Sequence, residues 1–505
     1  MTSPIESLPE ELLVQIFGYL DHEPPSLLNL REEPSLKLLA SGSTPLKHTS
    51  LVSRRWRRLA LSLLFKYARL QLDAPPRPHW SECEVCRDGY LDRPEGGWIE
   101  SGSYENGIDV YHEEIMAEAF SHLSNEPTLQ TSHVDPTAEV QGELTRHILL
   151  HWAPRFYHTL KDFLNFLTCH ELALKVESFV LYTGPMLSGK FDRFPHRAGA
   201  DRDWRYRCAA AFWRHSLSVL DPRRVVILAP PTDLACLTNC AIDTFGDWAF
   251  GDMEYHVLDL RLDATSQSPS PLLGTSFQYS TLDHTPRRYP GIAGSSVLHL
   301  RPWHHITIGE GAFLKAYGTY EYFERGPPSL IYSIKDCLTP RPTYSASVQR
   351  MTPSCLPSLR KLSYIAIFPF AEHLDFRELL PQLEELDLQL APTLSVAGSA
   401  ILNDPQRIGK AELQDCWSEL VTVYHKLAAQ LATFRITTKN VPYLKRLVCH
   451  DMGRATLRRE LDEVFIGMCL PVWCELRTGQ YVRLKGSAEV DDDGGDWSRF
   501  DAMQV

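Results

Sequence analysis

Leu8, Leu12, Ile16 and Leu20 recur every four residues, with Leu13 and Phe17 beside them. That spacing predicts an amphipathic helix with one broad apolar face over residues 8–20. Pro9 suits the first turn, where a missing N–H has no partner to lose, and it pushes Leu8 into an extended conformation. Glu10 and Glu11 follow where carboxylates oppose the positive end of the helix dipole. A second helix is expected over residues 51–67. At roughly 100° per residue, Val52, Trp56, Leu59 and Leu63 fall in one arc, with Arg54, Arg57 and Arg58 on the opposite, solvated side. The first helix alone could equally be packed on its own domain. Two helices this short, however, are too small to bury their apolar faces. Apolar surface left over after folding is a docking surface for another chain.

Beyond Asp73 the periodicity breaks down as far as about Glu143. Pro75-Pro76, Gly96-Gly97, Ser101-Gly102-Ser103 and Pro127 interrupt it, apart from a helix expected near 113–123. An irregular linker or excursion is expected there. Helices are then expected over 155–169, 204–220, 411–433 and 456–468, and strands at 176–182, 224–229, 256–260, 296–300 and 330–332. The segments Leu356-Pro357-Ser358-Leu359-Arg360-Lys361-Leu362 and Leu380-Pro381-Gln382-Leu383-Glu384-Glu385-Leu386 share the frame Leu-Pro-x-Leu-x-x-Leu. Val441-Pro442-Tyr443-Leu444-Lys445-Arg446-Leu447 repeats it.

Two resemblances follow from these residues. Leu8, Pro9, Glu11, Leu12, Ile16, Phe17, Leu20, Val52, Ser53, Arg54, Arg55 and Trp56 match both halves of an F-box pattern, which the N-terminal sequence therefore resembles. The Leu-Pro frames resemble the degenerate leucine-rich repeat found behind many F-boxes, in which a helix end turns into a short parallel strand. The spacing between frames is irregular, and no asparagine ladder position recurs. An unrelated α/β domain with similar Pro-Leu punctuation is the alternative.

The resemblance implies that residues 8–20 and 51–67 dock on a Skp-type adaptor and, through it, a cullin. Leu8, Pro9, Leu12, Ile16, Leu20, Val52 and Trp56 would be the adaptor-binding anchors. A repeat-like domain would hold an unknown target protein on its outward strand face or its loops. The chain would then be a non-catalytic substrate receptor of an SCF-type ubiquitin ligase. A scaffold acting with the adaptor outside the ligase, or an α/β enzyme, are the other readings. One departure from the family pattern stands out. Residues 21–45, with Glu23, Pro24, Pro25, Glu32, Glu33, Pro34 and Gly42, lengthen a gap that is usually short. A polar, proline-broken insertion is expected to loop out over the surface.

The expected fold is thus a small all-α N-terminal F-box followed by a large α/β domain, an irregular leucine-rich-repeat-like solenoid. The expected boundaries are 1–72 for the F-box with its inserted loop, 73–143 for the linker, 144–475 for the α/β domain and 476–505 for an acidic tail.

Composition narrows the function. With 505 residues and 44% hydrophobic content, the chain can bury a large core. Its 63 Asp+Glu against 51 Lys+Arg give a net charge of −12, so the Arg54-Arg55-x-Arg57-Arg58 run reads as a solvated helix face rather than a nucleic-acid contact. No signal peptide or bilayer-spanning run is evident, and the cytoplasm, the nucleus or both are expected. The twelve cysteines form no framework and read as buried hydrophobes and free thiols.

Cys83 and Cys86 make a Cys-x-x-Cys knuckle, a weak metal candidate that lacks two further ligands at suitable spacing. Gly184-Pro185-Met186-Leu187-Ser188-Gly189-Lys190-Phe191 has the Gly-x-x-x-x-Gly-Lys spacing of a phosphate loop. Phe191 stands where a hydroxyl must reach magnesium, and Pro195 breaks the helix that should hold the phosphates. Neither a cofactor nor a catalytic group is expected.

Overall fold

The computed structural model describes residues 4–40, 44–72, 153–184, 212–238, 255–263, 296–312, 314–318, 327–338, 342–345, 348–351, 356–393, 401–437, 444–469 and 473–484, with Ala209 and Cys240. The N-terminal module is built from α1 (Glu10–Gly18), a short α2 (Pro25–Leu28), α3 (Thr44–Thr49) and α4 (Arg54–Leu64). Leu13 and Phe17 of α1, Leu46 of α3 and Leu59 and Ala60 of α4 form its own small core. The helices therefore bury more of one another than the sequence suggested, because α3 supplies a third wall that lay unrecognised at the end of the insertion.

The chain passes directly from α4 into β1 (Tyr67–Leu72), the edge strand of a ten-stranded sheet. Its other strands are β2 (Ser178–Thr183), β3 (Arg224–Ala229), β4 (His256–Arg261), β5 (His305–Glu310), β8 (Lys361–Ala366), β9 (Glu385–Gln389), β10 (Arg446–Cys449), β11 (Trp473–Arg477) and β12 (Gln480–Arg483). The order is β1-β2-β3-β4-β5-β8-β9-β10-β12-β11. A separate hairpin pairs β6 (Pro342–Ser345) with β7 (Val348–Met351). Most neighbours in the large sheet are parallel, but β4 runs against both β3 and β5, and β12 runs against β10 and β11.

Alternation along each strand separates two faces. Phe179 and Leu181, Val225 and Ile227, Leu258 and Leu260, Leu362 and Tyr364, and Leu386 and Leu388 point into the main core. That side is covered by the helices Ala153–Cys169, Leu413–Thr437 and Ala455–Cys469 and by residues 212–219. The Leu-Pro frames deliver Leu359, Leu362, Leu383, Leu386, Leu444 and Leu447, all buried. The strands that follow the frames, β8, β9 and β10, are parallel neighbours in register, with Lys361 opposite Glu385 and Glu385 opposite Arg446.

Several expectations need correction. Residues 296–300 form a turn rather than a strand, held where Trp303 Nε1 donates to Val297 O at 2.8 Å. Residues 330–332 enter the helix Ile331–Leu338, started by Ser329 Oγ accepting from Ile331 N and by Glu310 Oε1 accepting from Leu330 N. Short apolar runs suit either state, and these local hydrogen bonds decide between them. Residues 67–72, read as part of the helical module, form β1, and residues 476–477 and 480–483, read as tail, belong to β11 and β12. The knuckle at Cys83 and Cys86, the Gly-x-x-x-x-Gly-Lys segment beyond Gly184, the 73–143 linker and the acidic residues after Leu484 lie outside the described residues.

The largest correction concerns the insertion. Residues 24–39 do not loop out; they run as a strap across the second face of the sheet. Leu30 and Leu38 are buried there against Val180 and Tyr182 of β2, Val226 and Leu228 of β3, Val257 of β4 and Ile365 of β8. Gly309 leaves room for the Val257 side chain on the neighbouring strand, since a Cβ there would lie 2.5 Å from Val257 Cγ1, while Pro34 Cγ of the strap would stay at an ordinary contact distance of 3.7 Å. Each buried leucine contributes about 1.5–3 kcal/mol in transfer terms. That gain is available because Val180, Tyr182, Val226, Leu228 and Val257, the outward residues beneath the two leucines, are themselves apolar.

Candidate functional site

The N-terminal module is bound together at its start. Ser53 caps α4, its Oγ accepting from Trp56 N at 3.2 Å. Arg55 Nη2 donates to Leu8 O at 2.7 Å, and both Arg55 and Arg58 pair with Glu10. The arginine run therefore ties α4 to the first turn of α1, and part of it is engaged rather than simply solvated.

The seven expected anchors divide in two. Pro9, Leu12, Ile16 and Val52 are exposed, Leu12 and Ile16 at 45% each. Leu8, Leu20 and Trp56 are half-buried against the module's own core, and the Trp56 ring lies 5.2 Å from that of Phe17. The arc of Val52, Trp56, Leu59 and Leu63 is accordingly corrected. Trp56, Leu59 and Leu63 face inward, and Val52 stands apart in the turn before α4. Trp56 Nε1 is buried without a hydrogen-bond partner.

Sequence reasoning passed over two prominent residues, Tyr19 at 86% exposure and Leu51 at 74%. Tyr19 follows Leu12 and Ile16 at helical spacing, which was the available signal. Leu51 precedes Val52 in the turn and carried none. Leu12, Ile16, Tyr19, Leu51 and Val52 all stay exposed.

Behind the module, the strap meets polar partners as well as apolar ones. Arg224 Nη1 donates to Ser26 Oγ at 3.0 Å and Nη2 to Ser26 O at 2.7 Å. The same guanidinium grips Asp259, which Arg261 also engages at 2.6 Å. Burial works against the Asp259 charge, but Arg224 and Arg261 hold its carboxyl below the usual carboxylate range. Gln389 Nε2 and Thr393 Oγ1 both donate to Arg31 O at 2.9 Å. Glu33 pairs with Arg407 and accepts from Ala312 N. Arg69 Nη1 donates to Leu39 O at 2.6 Å, so the strap is held from β1 to beyond β9.

The strap covers the apolar rows of this face and, through Ser26, the Arg224 end of the row at the other end of the strands, and beyond Arg224 that row is partly exposed. There Arg261, His305, Lys361, Glu385 and Arg446 stand in register. His305 bonds Ser363 Oγ at 2.9 Å and lies 3.2 Å from Thr307 Oγ1. Burial, and next to it the Arg261 charge, push His305 down to about 4. Among the described residues no group of histidine, cysteine and carboxylate side chains could hold a metal ion, and no helix is long and apolar enough to cross a membrane.

Residues 5–70 match the F-box-like family. The chain thus carries an F-box-like domain at its amino terminus, a class that docks Skp-type adaptors in SCF-type ligases. The match includes the strap. No curated protein and no solved structure was found to match the chain.

Proposed function

We propose that this chain is the substrate-recognition subunit of an SCF-type cullin ubiquitin ligase. The N-terminal module docks on a Skp-type adaptor, and the α/β domain holds a target protein. The observation that carries the reading is the row of Leu12, Ile16 and Tyr19 on α1, with Leu51 and Val52, left exposed within the segment that matches the F-box-like family. Apolar side chains that a fold leaves uncovered in such a row gain most by pairing with another chain. The strands behind the three Leu-Pro frames support a repeat-like organisation of the α/β domain, while the reversed β4 marks it as irregular.

The chain contributes proximity rather than chemistry. A target lysine held beside a charged ubiquitin carrier reacts at raised effective concentration without a catalytic side chain from the receptor. Such a protein works in the cytoplasm or nucleus. Co-expression with an adaptor and cullin tests the reading. Wild type should co-purify with both, and Leu12→Asp with Val52→Asp should abolish the adaptor while leaving the thermal transition unchanged. Retention of the adaptor by that variant would overturn the assignment. Capture of the adaptor without cullin would point to a scaffold outside the ligase.

A further inference from the structure

The partly exposed row of the sheet carries an excess of cations. Lys361 pairs with Glu385 at 3.0 Å, and Arg446 approaches the same carboxylate at 3.8 Å. One residue before each of these strands begins, Arg360 lies 3.6 Å and Lys445 2.8 Å from Glu384. Each carboxylate is therefore shared by two cations. Four positive groups around two negative ones leave a surplus of two charges on a chain whose net charge is −12. These side chains are between 30% and 65% exposed.

Exposed pairs of this kind add little to stability, on the order of 0–1 kcal/mol each. The fold therefore gives little reason to gather six long charged side chains across β8, β9 and β10. A cationic strip set in an acidic protein does concentrate acidic ligands, and Lys and Arg form their stronger hydrogen bonds with carboxylates. Lys361 and Arg446 stand two strands apart, roughly 10 Å at ordinary strand spacing, within the span of a short extended peptide.

We propose that this strip binds an acidic segment of the target protein. The inference deepens the receptor reading and rests on it. The test uses the full chain and a fluorescein-labelled deca-glutamate peptide, with deca-glutamine as control, followed by anisotropy at low and high salt. Deca-glutamate should bind, weaken as salt rises, and weaken at least tenfold in Lys361→Gln/Lys445→Gln. That variant should keep the wild-type melting transition and adaptor co-purification. Absence of deca-glutamate binding, or binding that ignores the substitutions, overturns the inference whatever the adaptor does. Binding that appears only after residues 485–505 are deleted would assign the strip to the chain's own acidic end, and it too overturns the inference. So would equal affinity for a single-stranded deoxyoligonucleotide with the same dependence on Lys361 and Lys445. Loss of adaptor docking in the wild type, by contrast, would count against the receptor reading alone.

Discussion

Arg31 of the F-box insertion lies 2.8 Å from Asp387 on β9, a carboxylate whose side chain is almost wholly buried and also meets His450 Nε2 at 2.7 Å. The two partners are 356 positions apart in sequence. This pair, with Arg224 on Ser26 and Arg407 on Glu33, joins the F-box-like module to the α/β domain from β3 as far as β9.

Removing Arg31 takes the guanidinium away from the Asp387 carboxylate and leaves it His450 Nε2 as a partner. Arg31→Ala should lower stability by about 1–3 kcal/mol, the cost of leaving a charged hydrogen-bonding group short of a partner. Urea denaturation monitored by tryptophan fluorescence measures it. Asp387→Asn should recover part of that loss in the Arg31→Ala background, because it removes a buried charge that has lost one of its two partners.

Acid should weaken the fold in two stages with different owners. Burial pushes the Asp387 carboxyl up, but His450 and Arg31 prevail and hold it at about 2. A carboxylate held lower in the folded than in the unfolded chain stabilises fully above about pH 4, and the contribution is lost as pH falls from there toward 2. His305 titrates earlier, together with His299, which burial also pushes down to about 4. The folded value of His305, about 4, lies below the free value of 6.5, so the neutral ring favours folding. That contribution is complete above pH 6.5 and declines as pH falls toward 4. Denaturant midpoints taken from pH 7 to pH 3 should therefore begin to fall before ordinary carboxylates titrate, and His305→Gln should flatten the upper part of the decline.

The strap should behave as part of the core. Leu30→Ala and Leu38→Ala each remove a buried side chain and should cost about 2–5 kcal/mol. Hydrogen exchange should quicken along β2 and β3, beneath them, more than along β11 and β12.

Binding and stability should separate within α1. Leu13→Ala or Phe17→Ala should destabilise the N-terminal module, about 2–5 kcal/mol for a buried core truncation. Ile16→Asp should leave its melting transition within about 0.5 kcal/mol of wild type, as expected for an exposed position, and yet lose the adaptor in co-purification.

The α/β layer was legible because its signals are local. Val225-Val226-Ile227-Leu228 is rich in β-branched residues and reads as a buried strand, and each Leu-Pro-x-Leu-x-x-Leu frame places its leucines on one side. Leu12 and Ile16 were legible from helical spacing. The half-burial of Trp56 is not legible, because an arc on one helix does not say which neighbour it faces. Phe17 and Leu46 close around it from elsewhere in the chain. The strap was invisible for a stronger reason. Leu30 and Leu38 follow no period, and Ser26, Arg31 and Glu33 look like ordinary surface residues until Arg224, Asp387 and Arg407 are brought beside them.

The route of the strap makes the amino terminus unsuited to exchange as a cassette. Cutting after Leu72 would carry away the outermost strand together with the cover over Val226 and Leu228, so the remainder would be left with a greasy, sticky sheet. Grafting a foreign F-box would need a replacement for that cover as well as a new pair of docking helices.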